Sequence, residues 1–534
     1  MRQPVYLIDL AAYKPPNENK ANMDVAIAEF TKKYSPESMD FQTRVIAKSG
    51  LSRYETYLPH SINPSYCGLS PITDLKAAEE ECRMTTIGAL TDLLAKTGLA
   101  ASDIDILVTT CSIYCPTPSI GSMLVNTFRM RSDVQSYSLG GMGCSNGVVG
   151  MSLVRDLLQA HPNANVVFVT TEVTSNVFYP GQDRARQVTN LLFRMGAAAV
   201  LFSNNASWGS RIKYRLRHSE RVHIGASDAA YSAIHYSPDE EGINGVYLGK
   251  DVVTEASRAL GRVIRNIGPK VLSKVELLRY AHNAATRWVG RKLGSVKIPE
   301  YVPTFSGSLD HFLIHAGGAK VLDGLGDALR LTVSDLEASR AVLFDYGNVS
   351  SSSTWYTLGY VESVRGVKRG DRVMQIGVGS GIKCGVNIWQ ATRDISDVHR
   401  AWEHRVAPER AAAAAAKTAA KPPRRFVDTS GRWSSSLALA FVALLLALLM
   451  GVCLVLDEAQ GDISARIARV AGGANTSQLL EELSGHWEAG CALGGGLRDT
   501  LAGVLASMGS GMQPVGSWHA GVAAATAPAM ASEL

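Results

Sequence analysis

Paired cysteines, a secretory leader and dense charge of one sign are what this chain of 534 residues has least of. Its eight cysteines, Cys67, Cys82, Cys111, Cys115, Cys144, Cys384, Cys453 and Cys491, include no CxxC pair. Neither a disulfide framework nor a zinc ribbon is therefore expected, and a reducing compartment is the simpler setting. Lys plus Arg exceed Asp plus Glu only by 53 to 48, far from the concentrated positive charge of a nucleic-acid binder, so no nucleic-acid partner is expected. The first residues, MRQPVYLIDLAAYKPP, have neither the basic start nor the apolar core of a signal peptide, so transfer to the secretory lumen is not expected.

What is present reads as an α/β protein from Met1 to about Arg400. Short apolar runs such as DIDILVTT (103–110), NVVFVTTE (165–172), AAVLFSN (198–204) and RVMQIGVG (372–379) alternate with helical patterns at 79–100 and 145–162. That alternation predicts mostly parallel sheets covered by helices, in two comparable halves, 1–205 and 206–400. Residues 401–433 are rich in Ala, Pro, Lys and Arg and read as a linker. Residues 437–456 are twenty uncharged, almost wholly apolar residues, long enough to cross roughly 30 Å of hydrocarbon as a transmembrane helix. Lys417, Lys421, Arg424, Arg425 and Arg432 precede this run and Asp457, Glu458 and Asp462 follow it. The bias puts the N-terminal side in the cytosol. The tail, 457–534, is Gly-, Ala- and Ser-rich and reads as mostly disordered.

SLGGMGCSNGVVGM (138–151) places five glycines around Cys144 ahead of a helical pattern. A helix start favours the thiolate, and the glycines let a substrate approach the backbone. HFLIHAGGAK (311–320) ends an apolar strand in His315, followed by Gly317 and Gly318, and Asn348 precedes a serine run expected to cap a helix. Cysteine, histidine and asparagine on separate strand-end turns suit thioester chemistry: a thiolate exchanges acyl groups at little cost, and two donors hold an enolate oxygen. Singly, each has a bland reading as core, surface or turn residue. GVGSG (377–381) lacks the full spacing and acidic partner of a dinucleotide fingerprint, so Gly379, Ser380 and Gly381, like Gly143, are expected to shape the backbone beside the site.

GGMGCSNGV, HFLIHAGGAK, GNVSSSSTWY and GSGIKCG, with YKPP, ETYLP, CPTPS and LFRMGAAAVLFSN, resemble the plant-type 3-ketoacyl-CoA synthases, in order from about Val5 to Trp389. The resemblance implies a thiolase-like fold of two similar halves with layered helices and mixed sheets, and a catalytic triad on Cys144, His315 and Asn348. It implies decarboxylative Claisen condensation of malonyl-CoA with a long-chain or very-long-chain acyl-CoA through an acyl-cysteine, giving 3-oxoacyl-CoA, CO2 and CoA. Both CoA esters are substrates, and no cofactor is expected. His223, which resembles a recurrent family histidine, and His311 are expected to support the site. No metal is expected, since no third ligand is evident. A homodimer, reductase and dehydratase partners, and the endoplasmic reticulum membrane with the catalytic domain in the cytosol are further expectations.

Departures from the family pattern are Asn146 for the usual alanine, Cys115 for a usual asparagine, and the loop YPGQDRARQVTN (179–190). Members usually begin with two membrane helices, whereas here the apolar run lies near the other end, so either the anchor has moved or a start is missing. A type III polyketide synthase shares fold and triad but usually reads HPGG and GFGPG where this chain has HAGG and GSGIKCG. A catalytically silent scaffold of an elongation complex would need no intact triad.

Overall fold

The computed structural model of the protein describes residues 3–292, 299, 301–408 and 410. The linker beyond 410, the expected transmembrane run 437–456 and the tail 457–534 lie outside the described residues. Among the described residues no helix is long and apolar enough to cross a membrane.

Eleven strands are described: β1 (Tyr6–Ala12), β2 (Ile106–Thr110), β3 (Gln135–Leu139), β4 (Asn165–Glu172), β5 (Gly196–Ser203), β6 (Tyr214–His223), β7 (Ile234–Pro238), β8 (Asn244–Leu248), β9 (His311–Ile314), β10 (Arg372–Gly379) and β11 (Lys383–Ala391). Nine form one sheet in the order β3-β2-β4-β5-β1-β6-β11-β10-β9, and β7 pairs with β8 apart from it. β2, β4 and β5 are buried along their whole length, as runs of β-branched and small apolar residues must be when helices cover both faces. β3, at the edge, alternates in exposure.

The sheet is mixed, not mostly parallel. β3–β2, β2–β4 and β10–β9 are parallel, while β4–β5, β5–β1, β1–β6, β6–β11 and β11–β10 are antiparallel. β10 and β11 are a hairpin closed by a short turn, so their direction follows from loop length. β1 meets β6 through only two residue pairs, Tyr6 with Arg215 and Leu7 with Tyr214, and that short joint makes one sheet of the two strand groups.

The helical pattern at 79–100 is a single helix, Leu75–Thr97, capped by Asp74 and closed by left-handed Gly98. The pattern at 145–162 is broken into Asn146–Val149 and Met151–Ala160, the break falling at Gly150. Ordered packing continues past Arg400, because Trp402 is fully buried and donates its indole N–H to the Tyr356 carbonyl at 2.9 Å. Phe202, Trp355 and Trp389 pack ring on ring in the core, with centroids 5.8 to 6.5 Å apart.

Candidate active site

Three chain segments converge where β3, β9 and β10 end. After β3 the chain turns through Gly140 and Gly141 into a 3-10 turn, Gly143–Ser145, that carries Cys144. After β9 the His315 N–H bonds the Ile376 carbonyl of β10 at 3.0 Å, which fixes the imidazole beside the sheet. After the Val333–Tyr346 helix, Gly347 and Asn348 lead into a 3-10 turn, Ser350–Ser352, and the Ser353–Tyr360 helix. His315 and Asn348 are buried, and Cys144 is half-buried.

Ser350 links the three. Its Oγ lies 3.5 Å from Cys144 Sγ, and its N–H donates to Asn348 Oδ1 at 2.9 Å. Its carbonyl accepts from Ser353 Oγ at 2.8 Å, and Ser353 Oγ in turn lies 3.1 Å from His315 Nδ1. When Ser353 spends its proton on that carbonyl, the network assigns the remaining proton to His315 Nδ1 and leaves Nε2 with a free lone pair. With Oδ1 occupied, the Asn348 amide turns its NH2 group toward Gly317, whose carbonyl it meets at 3.3 Å. A Cβ on Gly317 would sit 3.0 Å from His315 Nε2, so Nε2 and the Asn348 NH2 border the same residue.

Ser350 also reaches Glu172 Oε2 at 3.2 Å. This carboxylate ends β4 and accepts from the Ser112 and Ile113 N–H groups at 3.0 and 3.2 Å and from Cys111 Sγ at 3.3 Å. Burial raises the Glu172 carboxyl above its usual range, against those donors. Neither residue is marked by the local sequence pattern. Ser350 looked like a member of a capping run, and the one available signal for Glu172 was an acid closing an otherwise apolar strand.

The expected capping by the serines is not what they do. Ser352 makes no side-chain cap to the helix that follows. Ser351 Oγ bonds the Thr171 carbonyl at 3.3 Å and Ser352 Oγ the Thr170 carbonyl at 2.9 Å, because a buried hydroxyl needs a partner and β4 lies within reach.

The environment does not favour a resting thiolate either. Burial pushes the Cys144 thiol up to about 12; the Ser350 hydroxyl opposes this and the Glu172 charge adds to it. The helix after Cys144 is only four residues long, too short to supply much dipole. Burial likewise pushes His315 down to about 4, with the Ser350 carbonyl opposing. Near neutral pH the resting pair is thiol and neutral imidazole.

The glycines bring backbones together. A Cβ on Gly143, at φ +57°, would lie 2.8 Å from the Ser380 nitrogen, and one on Gly379 would lie 2.4 Å from the Ser145 nitrogen. The Cys144 turn thus rests directly on the β10–β11 turn. Gly381 lies in that same turn, beside His223 Nε2, and Gly318 precedes the Ala319–Leu329 helix. His223 is exposed at the end of β6 and touches the turn from outside, opposite Lys383. His311 is at the far end of β9 from His315, and its Nε2 is 3.1 Å from Asp371 Oδ2. The structure does not bring it to the other residues.

Of the departures, Asn146 is fully buried and donates to the Leu139 carbonyl at 3.2 Å, tying the end of β3 to the Cys144 turn rather than capping a helix. Cys115 lines a cavity of about 830 Å3 with Leu75, Tyr114, Ile120 and Met123. Asp9, Glu362 and His399 form a buried acid and imidazole cluster. Lys213 Nζ lies against it, 2.7 Å from Asp9 and 2.5 Å from Glu362, with Lys96 Nζ 2.8 Å from Asp9.

Comparison with known proteins gives two family matches: FAE1/type III polyketide synthase-like protein over residues 1–289, and the C-terminal domain of chalcone and stilbene synthases over 306–390. The chain is 42% identical over 397 residues to 3-ketoacyl-CoA synthase 6 of Arabidopsis thaliana, covering 73% of this chain and 77% of that one. It is 42% identical over 396 residues to probable 3-ketoacyl-CoA synthase 20 of Oryza sativa subsp. japonica, covering 74% of each. Among solved structures it is similar to the C-terminal type III polyketide synthase domain of Steely1 from Dictyostelium, with TM-score 0.57 and 17% identity, covering 73% of this chain and 99% of that one. A variant of CsyB complexed with CoA-SH aligns with TM-score 0.57 and 19% identity over 73% of this chain and all of that one. The fold is α/β thiolase-like, of the type III polyketide synthase kind, with a mixed sheet and layered helices.

Proposed function

The chain belongs to the 3-ketoacyl-CoA synthases of the FAE1/type III polyketide synthase-like family, and from that premise we propose that Cys144, His315 and Asn348 carry its reaction. It is an acyltransferase that condenses malonyl-CoA with a long or very long acyl-CoA in fatty acid elongation.

Cys144 attacks the acyl-CoA carbonyl as its proton passes to His315 Nε2, and CoA leaves as the thiolate. The acyl group is now on sulfur and the imidazolium holds the proton. Malonyl-CoA then loses CO2, and the enolate oxygen accepts from His315 Nε2–H and Asn348 Nδ2–H. The imidazolium, disfavoured in a buried site, is stabilised there by the enolate it faces. The enolate carbon attacks the acyl-cysteine, 3-oxoacyl-CoA departs two carbons longer, and the Cys144 thiolate takes its proton back from His315. The negative charge that entered on the malonyl carboxylate leaves on CoA.

The observation that carries this reading is the reach of Ser350 to Cys144 and Asn348 directly and to His315 through Ser353. In membranes containing the full chain, malonyl-CoA and acyl-CoAs of graded length should give single-condensation products by mass. Cys144→Ala should abolish them. Asn348→Ala should slow condensation by about 10²–10³, the effect of losing one such donor. Product formation unchanged in Cys144→Ala would end the assignment. Repeated condensation with cyclisation would move the chain to polyketide chemistry.

The 437–456 run serves as a membrane anchor with the catalytic unit on the cytosolic side of the endoplasmic reticulum, supported by the basic residues before it and acidic residues after it. The active form is a homodimer that hands its product to a reductase and a dehydratase.

A further inference from the structure

Glu172 stands two hydrogen bonds from Cys144, and the proposed reaction makes no use of it. It is 4% exposed and closes β4, a strand buried along its whole length. Burying a carboxyl costs free energy that a neutral side chain at the same strand end would not, so what this one touches decides what it is for.

Its two oxygens have different surroundings. Oε1 accepts from the Ser112 and Ile113 N–H groups at 3.0 and 3.2 Å and from Cys111 Sγ at 3.3 Å, which holds it as an acceptor. Among the described residues Oε2 meets Ser350 Oγ alone, at 3.2 Å. On its other side the same hydroxyl lies 3.5 Å from Cys144 Sγ. A hydroxyl has one proton to donate. While Glu172 is ionised, Ser350 gives that proton to Oε2 and turns a lone pair to the sulfur, which accepts from a thiol and repels a thiolate. The titratable groups around Glu172 are the thiols of Cys111, Cys115 and Cys144, all raised above their usual range by burial, and, beyond Ser353, the imidazole of His315, lowered by burial. None of these is a cation near neutral pH, so the carboxylate reaches the sulfur uncancelled.

We propose that Glu172 is a positioning residue acting through Ser350: ionised, it claims the Ser350 proton and holds Cys144 in the thiol form until the proton passes to His315 during attack. This role rests on Cys144 being the nucleophile of the proposed reaction. It gives the buried acid a purpose, because a thiol at rest is spared the alkylation and oxidation to which a thiolate is open.

The structure fixes how Glu172→Gln would sit. Three donors require an oxygen at the Oε1 position, so the amide NH2 falls at Oε2 and donates to Ser350 Oγ. The Ser350 proton is then free for the sulfur, and the negative charge is gone. In the full chain, alkylation of Cys144 by iodoacetamide, followed by the mass of its peptide, should be about tenfold faster at pH 7 in Glu172→Gln than in wild type, with the pH profile moved about one unit lower. In a Ser350→Ala background the same substitution should give much less gain, a dependence that a merely loosened fold would not show. Glu172→Asp keeps the charge and draws it back from Ser350, so a smaller rise is expected there, and this variant carries the test if Glu172→Gln does not fold. Equal rates in wild type and variant at matched melting temperature would overturn the inference, as would an equal gain with and without Ser350. A slower rate in Glu172→Gln would also overturn it, by making Glu172 the base that takes the Cys144 proton. Alkylation needs neither CoA ester, so these results stand apart from the condensation assay: an acyl group found on another residue would end the proposed reaction, whereas unchanged alkylation ends only the role of Glu172.

Discussion

Ser350 holds a left-handed backbone, φ +50°, which costs a residue with a side chain about 1–2 kcal/mol. That conformation directs its N–H to Asn348, its hydroxyl to Cys144 and Glu172, and its carbonyl toward Ser353 and His315. The hydroxyl has one proton to give. With Cys144 a thiol it suits Glu172, and once sulfur becomes a thiolate it can turn to the sulfur. Because the Cys144 thiol is pushed up to about 12, alkylation of Cys144 by iodoacetamide should be slow at pH 7. It should rise about tenfold per pH unit without a plateau below pH 10, since the thiolate is the nucleophile. Ser350→Ala should lower the rate further and reduce turnover about tenfold, followed by mass of the Cys144 peptide. A plateau near pH 7 would mean a preformed thiolate. Cys144 and His315 were readable in the sequence because glycines mark the turns that hold them. Ser350 was not, because its role depends on a backbone angle and on a carboxylate 178 residues away in the chain, and a serine before a helix reads locally as a cap.

Among the elements, the short Asn146–Val149 helix and the serine turn press backbone to backbone. A Cβ on Gly147 would lie 1.8 Å from the Ser351 carbonyl oxygen, and neither partner is a flexible side-chain end. Gly147→Ala should destabilise the protein by about 1–3 kcal/mol and lower activity with it, measured by thermal melting beside the condensation assay. An unchanged melting temperature would show that the turn gives way freely. Strands β2, β4, β5 and β10 were legible as apolar, β-branched runs, and the Leu75–Thr97 helix from its periodicity. Strand direction was not legible, because β5 and β1 choose partners distant in sequence and periodicity says nothing of who pairs with whom.

Across the molecule, Lys213 joins β1, the 361–365 turn and the segment after β11 through Asp9, Glu362 and Asp397, at 2.7, 2.5 and 2.9 Å. Lys213→Met would leave these acids with Lys96 as the remaining buried ammonium, and should destabilise the fold by about 3–5 kcal/mol. Despite burial, Lys213 and Lys96 hold Asp9 and Asp397 well below the carboxylate range, so their contribution persists above about pH 4 and fades below it. Two buried imidazoles act at higher pH. Burial lowers His315 to about 4 and lowers His399, whose neighbour Lys96 adds to the effect. Between pH 6.5 and 5 the unfolded chain takes up protons that these groups refuse. Stability should therefore fall on going from pH 7 to pH 5, by about 2 kcal/mol for His315 alone, read from melts at the two pH values; a rise would contradict the assignment. The two strand groups joined at β1 and β6 bring Cys144 from one to His315 and Asn348 from the other, and the proposed reaction requires that meeting. The most direct test is to incubate the full chain with acyl-CoA and no malonyl-CoA and to measure the mass of the peptide containing Cys144. One acyl group on Cys144, absent in Cys144→Ala and discharged to 3-oxoacyl-CoA when malonyl-CoA is added, is the predicted result. An acyl group on another residue, or condensation with Cys144 unmodified throughout, would contradict it.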